Sequence, residues 1–284
     1  MVSNAPMAAV AERREAVWAG RLARPALYAF SALVCAFLVL PIVAIVPLSF
    51  NAGSFLSYPL AGLSLRWYEE LIGSAGWASA FRNSLLVAGA TTALATPLGT
   101  LAALGLTRVS AAVKPVLIAI LLAPMFVPVI TVAVATYFLY ARLGLAHTFL
   151  GLILSHTALA VPFVVLVVHA SLQGFDSSLL RAASSLGARP AIVVRRILLP
   201  LIAPGMFAAA VFAFTTSFDE IVVAMMIAGV EQKTLPLQMF DGVRDHISPA
   251  ITAAATLLVL SSIVLFGVVE LMRRRRARLV GALP

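Results

Sequence analysis

The chain has 284 residues, 62% of them hydrophobic and only 11% charged, with a net charge of +9. That composition excludes a soluble globular domain and indicates a polytopic helical membrane protein. The positive charge does not point to nucleic acid, because Lys and Arg lie between apolar blocks and form no polar domain of their own.

Apolar blocks long enough to cross a hydrocarbon core of about 30 Å predict an all-α fold of six transmembrane helices, at 27–50, 84–106, 115–140, 149–172, 199–218 and 251–272. Residues 1–26 carry Arg13, Arg14, Arg21 and Arg24 ahead of the first block, with no small-residue cleavage site after a short apolar core. They read as a cytoplasmic tail and not a cleaved signal peptide. Residues 27–272 form the membrane domain, and the basic run from Arg273 to Arg278 lies in a C-terminal tail, 273–284. With both termini inside, 15 of the 20 Lys and Arg residues fall on the cytoplasmic side. The outer segments hold Arg66, Arg82, Arg142, Lys233 and Arg244. This is the asymmetry that the positive-inside rule requires.

Cys35, the single cysteine, sits in the first block and reads as a small buried hydrophobe; it leaves no room for an intramolecular disulfide or a cysteine-cluster metal site. Pro41, Pro47, Pro97, Pro124, Pro128 and Pro162 each remove a backbone donor and predict kinks or local unwinding. The small residues Gly89, Ala93, Gly99, Ala103 and Gly105 predict close helix approach in the second span, in the bundle interior or at a dimer seam. His156 and His169 in the fourth span read as hydrogen-bonded packing residues, since neither has a histidine or carboxylate three or four positions on to complete a metal face.

Between the fourth and fifth spans, at about 176–198, lies a basic loop. Asp176 or Ser177 caps a helix running to about Leu186, Gly187 supplies a permissive turn, and Pro190 opens a second helix that runs to Leu199. From Leu198 to Val230 the chain is almost continuously apolar, too long for one untilted span, and Asp219-Glu220 interrupts it. The fifth span therefore ends near Phe218, and 221–228 forms a short re-entrant or interfacial segment. Two adjacent carboxylates at that depth require water, a cation or a basic partner. A route for an organic cation supplies this, as does a structural pair that caps a helix or meets an arginine of another subunit. Trp67 and Tyr68, just before the second span, either stack on a substrate amine or anchor the membrane interface. Asp241 and Asp245 either steer cations and meet a partner or form a solvated face. Gly229 to Thr234, GVEQKT, ends in Lys-Thr but lacks the second glycine and spacing of a P-loop.

The loop RAASSLGARPAIVVRRILLP, from Arg181 to Pro200, resembles the signature loop of binding-protein-dependent ABC importer permeases. Ala182, Ala183, Gly187, Ile197, Leu199 and Pro200 fall at matching offsets, while Arg181 stands where the family usually has glutamate. The sign of charge is reversed there, which is met either by an acid on the partner or by an exposed site where charge is worth little. A second stretch, FTTSFDEIVVAMMIAG from Phe214, followed by Thr234-Leu235-Pro236 and Ser248-Pro249, is similar to the C-type permease subunits of spermidine/putrescine importers. Trp67-Tyr68-Glu69 fits the same branch, whereas His246 and Thr252 depart from its glycine and asparagine.

The resemblance implies a type I ABC importer permease, not itself an enzyme, in a bacterial inner membrane. It implies a homologous second permease, two ATPase subunits and a periplasmic substrate-binding protein as partners, in addition to the lipid bilayer. ATP and Mg belong to the ATPase, and no cofactor is expected in this chain. The coupling element is then Arg181, Ala182, Ala183, Gly187, Ile197, Leu199 and Pro200, and the substrate route includes Asp219, Glu220, Trp67 and Tyr68. The cargo implied is a polyamine. An opine or other amine is an alternative within that branch, and an ion-coupled secondary transporter is the alternative from another class.

Overall fold

The computed structural model describes residues 5–174, 178–245 and 248–280. Helices supply the regular structure of these residues: α1 (Ala5–Leu48), α2 (Arg66–Gly73), α3 (Ala75–Leu106), α4 (Lys114–Phe126), α5 (Val129–Leu143), α6 (Phe149–Gln173), α7 (Ser178–Ser185), α8 (Pro190–Val193), α9 (Leu199–Phe218), α10 (Val222–Ile227), α11 (Leu235–Asp245) and α12 (Pro249–Val280). Among the described residues five helices are long and apolar enough to cross a membrane, or six if the bent pair α4–α5 counts as one span. The all-helical polytopic class is as expected, which follows from the need to satisfy every backbone group within lipid.

The core is a seam of α3, α6 and α9. Ala95 and Ala103 of α3 pack with Ala160, Val164 and Val168 of α6 and with Ile202, Ala209 and Ala213 of α9. Alanine and glycine dominate because they let the backbones approach, and packing rather than hydrophobic transfer holds helices together in lipid. At Gly99 the approach leaves no space, since a Cβ there would lie 2.6 Å from Val164 Cβ. Gly205 likewise faces Ser171, whose hydroxyl would collide with any added Cβ. The small-residue stripe of α3 therefore divides: Gly99 and Ala103 serve the interior, whereas nothing lies within 4 Å of a Cβ at Gly89 or Gly105 and Ala93 is exposed. A second core joins Val87 of α3, Ala133 of α5 and Leu152 of α6 to Val223, Ala224 and Ile227 of α10. A third joins Trp67 and Leu71 of α2 to Leu235 and to Ala250, Ala253 and Ala254 of α12.

Three expectations change. The third span, expected as one helix over 115–140, is broken at Val127 and Pro128 with a bend of 94° between α4 and α5. Val127 is extended at φ −82° and ψ 133°, because the ring of Pro128 bars a helical conformation at the residue before it. The fifth span does not begin at Leu199: α8 passes through a π-helical turn, Val194–Leu198, directly into α9, so Pro190–Phe218 is continuous. The second helix of the basic loop is thus the lower end of a span. Cys35 is exposed and not buried, because the apolar part of α1 stands outside the seam with none of its span buried by the rest of the chain.

Gly99→Leu should lower the thermal midpoint of the purified protein, since overpacking of this kind costs about 1–3 kcal/mol, whereas Gly105→Ala, in open space on the same helix, should hold or raise it. Equal midpoints for the two variants would contradict the seam.

Candidate functional site

The basic loop folds as two short helices around a glycine. Helix α7 ends in a Schellman motif: Gly187 N–H donates to Ser184 O at 3.0 Å and Ala188 N–H to Ala183 O at 3.1 Å. Gly187 has φ +81°, and nothing would touch a Cβ there, so its requirement is conformational and not steric. Leu186 beside it is 88% exposed, a large apolar side chain at the tip of a knob. Arg181 and Ala182 are exposed, Ala183 is half-buried, and Ile197 and Leu199 are half-buried in the turn that leads into α9. Pro200 follows the π-helical turn inside the continuous helix Pro190–Phe218, where it removes one backbone donor. The capping residues expected at 176 and 177 lie outside the described residues.

At the far end of α9 the helix stops at Phe218, with Asp219 N–H donating to Thr215 O at 3.0 Å. The carboxylate of Glu220 accepts from the backbone N–H of Val223 at 2.7 Å, which caps the first turn of α10. The other end of α10 is held by His147, whose N–H donates to Ile227 O at 2.9 Å. Asp219 is exposed and Glu220 half-buried. Both line a hollow of about 1000 Å³ with Val39 and Ile42 of α1, Thr215 and Thr216 of α9, and Ser262 and Phe266 of α12. Glu220 also lines a second hollow of about 500 Å³, against Pro124 to Val129 at the α4–α5 break and Leu159 and Phe163 of α6. Among the described residues neither carboxylate forms an ion pair; Lys233 pairs instead with Asp241 at 2.7 Å. The side chain of Asp245 and the whole of His246 lie outside the described residues. Thr252 is buried, its hydroxyl donating to Pro249 O at 2.7 Å.

Trp67 and Tyr68 are not part of this hollow. Trp67 is 5% exposed, its Nε1–H donating to Asn51 O at 2.7 Å and its ring covered by the Arg66 guanidinium at 4.1 Å. The Tyr68 hydroxyl shares a hydrogen bond with Ser49 at 2.7 Å. Neither residue lines the hollows that hold Asp219 and Glu220: Trp67 is buried and Tyr68 half-buried. The indole is enclosed, with its one donor already used on the loop before α2.

Several residues that organise the loops around α2, α3 and α11 were not singled out from the sequence. Asn51 Oδ1 accepts from Gly53 N–H at 3.1 Å and from Ala61 N–H at 3.0 Å, closing the loop after α1. Asn83 of α3 donates to Glu231 O at 2.8 Å and Lys233 O at 3.0 Å, and Ser84 accepts from Leu235 N–H at 2.8 Å. Asparagine and serine in the first turns of a long helix carried the signal, but their partners lie about 150 residues away in sequence.

A knob at one end of α9 and an acidic break at the other suit a subunit that couples events on one side of a membrane to a passage through it. The family model described as the binding-protein-dependent transport system inner membrane component matches residues 95–278. The spermidine/putrescine transport system permease protein PotC of Escherichia coli strain K12 is 33% identical over 259 residues, covering 91% of this chain and 97% of that relative. The putrescine transport system permease protein PotI of the same strain is 33% identical over 230 residues, covering 78% of this chain and 82% of its own length. A chain of a bacterial ABC transporter that imports alginate superposes with a TM-score of 0.68 at 17% identity, covering 91% of this chain and 98% of that one. The chain belongs to the family of binding-protein-dependent transport system inner membrane components. It is a multi-pass inner-membrane permease subunit of an ABC importer.

Trp67→Phe leaves Asn51 O without its buried donor, a loss of about 1–3 kcal/mol. The thermal midpoint should fall while import by the assembled transporter persists. A loss of import at unchanged stability would restore Trp67 to the substrate route.

Proposed function

We propose that this permease imports a polyamine or a closely related organic polycation, and that Asp219 and Glu220 stand on its route. The observation that supports this is a pair of carboxylates without a basic partner among the described residues, on the wall of an otherwise largely apolar hollow. Charge placed at membrane depth is costly unless compensated. A diammonium passing between the two hollows that share Glu220 provides the compensation transiently, and an anionic or neutral cargo does not. The same cargo class is named for the relatives PotC and PotI.

In this reading the chain pairs with a homologous second permease, and two ATPase subunits and a periplasmic binding protein complete the importer. Both termini and the Gly187 knob lie on the cytoplasmic side, in keeping with the charge asymmetry. The ATPase receives the knob from Arg181 to Leu186. The exposed Leu186 gives it an apolar contact, and the unbroken helix from Pro190 to Phe218 carries its displacement to the acidic break. ATP is hydrolysed in the partner, and this chain contributes the passage and the lever.

Asp219→Asn with Glu220→Gln keeps shape and removes charge. Spermidine uptake into vesicles holding the assembled importer should fall about tenfold or more, the scale of losing roughly 1.4 kcal/mol of differential binding, while subunit assembly and basal ATP hydrolysis persist. Wild-type uptake by that variant would remove the carboxylates from the route, and loss of assembly would make them structural.

At the knob, Gly187→Val should leave membrane insertion intact and abolish the stimulation of ATP hydrolysis by loaded binding protein, because the left-handed conformation costs about 1–2 kcal/mol for a residue with a Cβ. Gly187→Asn, which tolerates that conformation, should retain most of it. Equal stimulation in all three proteins would remove the coupling role.

A further inference from the structure

His156 is the largest buried polar side chain of α6 and has no part in the route or the knob. It is 1% exposed, and its Nδ1 makes a 2.8 Å hydrogen bond with the Ser217 hydroxyl of α9. Its Nε2 is also buried and has no partner among the described residues. A leucine would leave no nitrogen unpaired here, so what the imidazole adds over an apolar side chain is the one bond it makes.

The place of that bond gives it a consequence. Ser217 lies in the last turn of α9, followed by Phe218 and then by the break where Asp219 and Glu220 leave the helix. Among the described residues it makes the last side-chain hydrogen bond from α9 to another helix before the carboxylates, and Phe218 after it packs edge-on against Phe81 of α3. The other partner sits on α6, one turn from Leu159 and two from Phe163, which form the wall of the hollow that contains Glu220. Helix α6 is anchored against α3 and α9 through Val164 and Val168, so its face is a fixed reference. The hydrogen bond ties the end of α9 to the wall its carboxylate faces.

We propose that His156 is a positioning residue which, through Ser217, sets the height and rotation of the end of α9 and so the placement of Asp219 and Glu220 for a passing cation. This rests on the route proposed above. A residue that only filled space would affect assembly and all activities together. A positioning residue alters how much cargo moves per ATP.

The test uses the assembled importer in proteoliposomes, with labelled spermidine as the probe and a Cys35→Ser, Thr216→Cys background, position 216 lying on both hollows. The rate at which a charged thiol reagent modifies position 216 reports the placement of α9 independently of transport. Ser217→Ala and His156→Ala should each change that rate about fivefold and lower spermidine imported per ATP to a similar extent. The double variant should be no worse than the worse single one, because both delete the same bond. His156→Asn, which keeps a hydrogen-bonding group near the Nδ1 position, should restore both readouts. Should His156→Ala fail to assemble, Ser217→Ala, the loss of one oxygen atom, carries the test alone. An unchanged modification rate, or losses that multiply in the double variant, overturns the positioning role. A changed rate together with wild-type import by Asp219→Asn, Glu220→Gln overturns the route and with it the functional half of the proposal.

Discussion

The close approach of α3, α6 and α9 is the constraint on which the rest of the membrane domain depends. Where a Cβ at Gly99 or Gly205 would collide with the neighbouring helix, contacts must come from packing at short range, because lipid offers no hydrophobic drive for one helix to prefer another. A seam of that kind has little freedom to repack. Helix α9 can therefore transmit displacement along its length, with a knob at one end and an acidic break at the other. The remaining elements pack beside this rod in clusters of their own: α10 with α5, α3 and α6, and α2 with α12.

The breaks in the helices are as informative as the helices. Lipid tolerates irregular backbone only where protein or a water-filled cavity receives it, and two breaks among the described residues meet each other. The α4–α5 bend at Val127 and Pro128 and the end of α9 at Asp219 face one hollow through Glu220. Polar backbone and charge are thereby concentrated where a passage would need them. The loop after α10 is held by side chains of α3, with Asn83 and Ser84 bonding the segment from Glu231 to Leu235.

Much of this was legible in the sequence, for identifiable reasons. The six blocks and the turn at Gly187 are local signals, set by apolar run length and by the conformational freedom of one residue. The end of α9 was legible because two carboxylates in a long apolar run admit few alternatives. Pro124 and Pro128 announced distortion but not a 94° bend, since the depth of a kink depends on what fills the space beside it. The continuity of α8 with α9 was hidden because Pro190 and Pro200 both look like helix starts, and the π-helical turn between them leaves no residue signature. Trp67 misled through its position next to a span, which is also where interfacial anchors occur; its enclosure depends on Asn51 and on α12. The His156 and Ser217 bond joins residues 61 apart in the chain, and no periodicity within either helix encodes the partner.

The central claim is that the acidic end of α9 faces the passage of the assembled importer and meets the cargo there. The most direct measurement is the structure of the complete transporter, with its second permease, ATPase and binding protein, trapped with spermidine inside the membrane domain. An ammonium nitrogen within about 4 Å of Asp219 or Glu220, the range in which an opposite charge acts strongly, is the result expected. Density for the amine elsewhere, with both carboxylates locked to arginines of the second permease or turned to lipid, would contradict it.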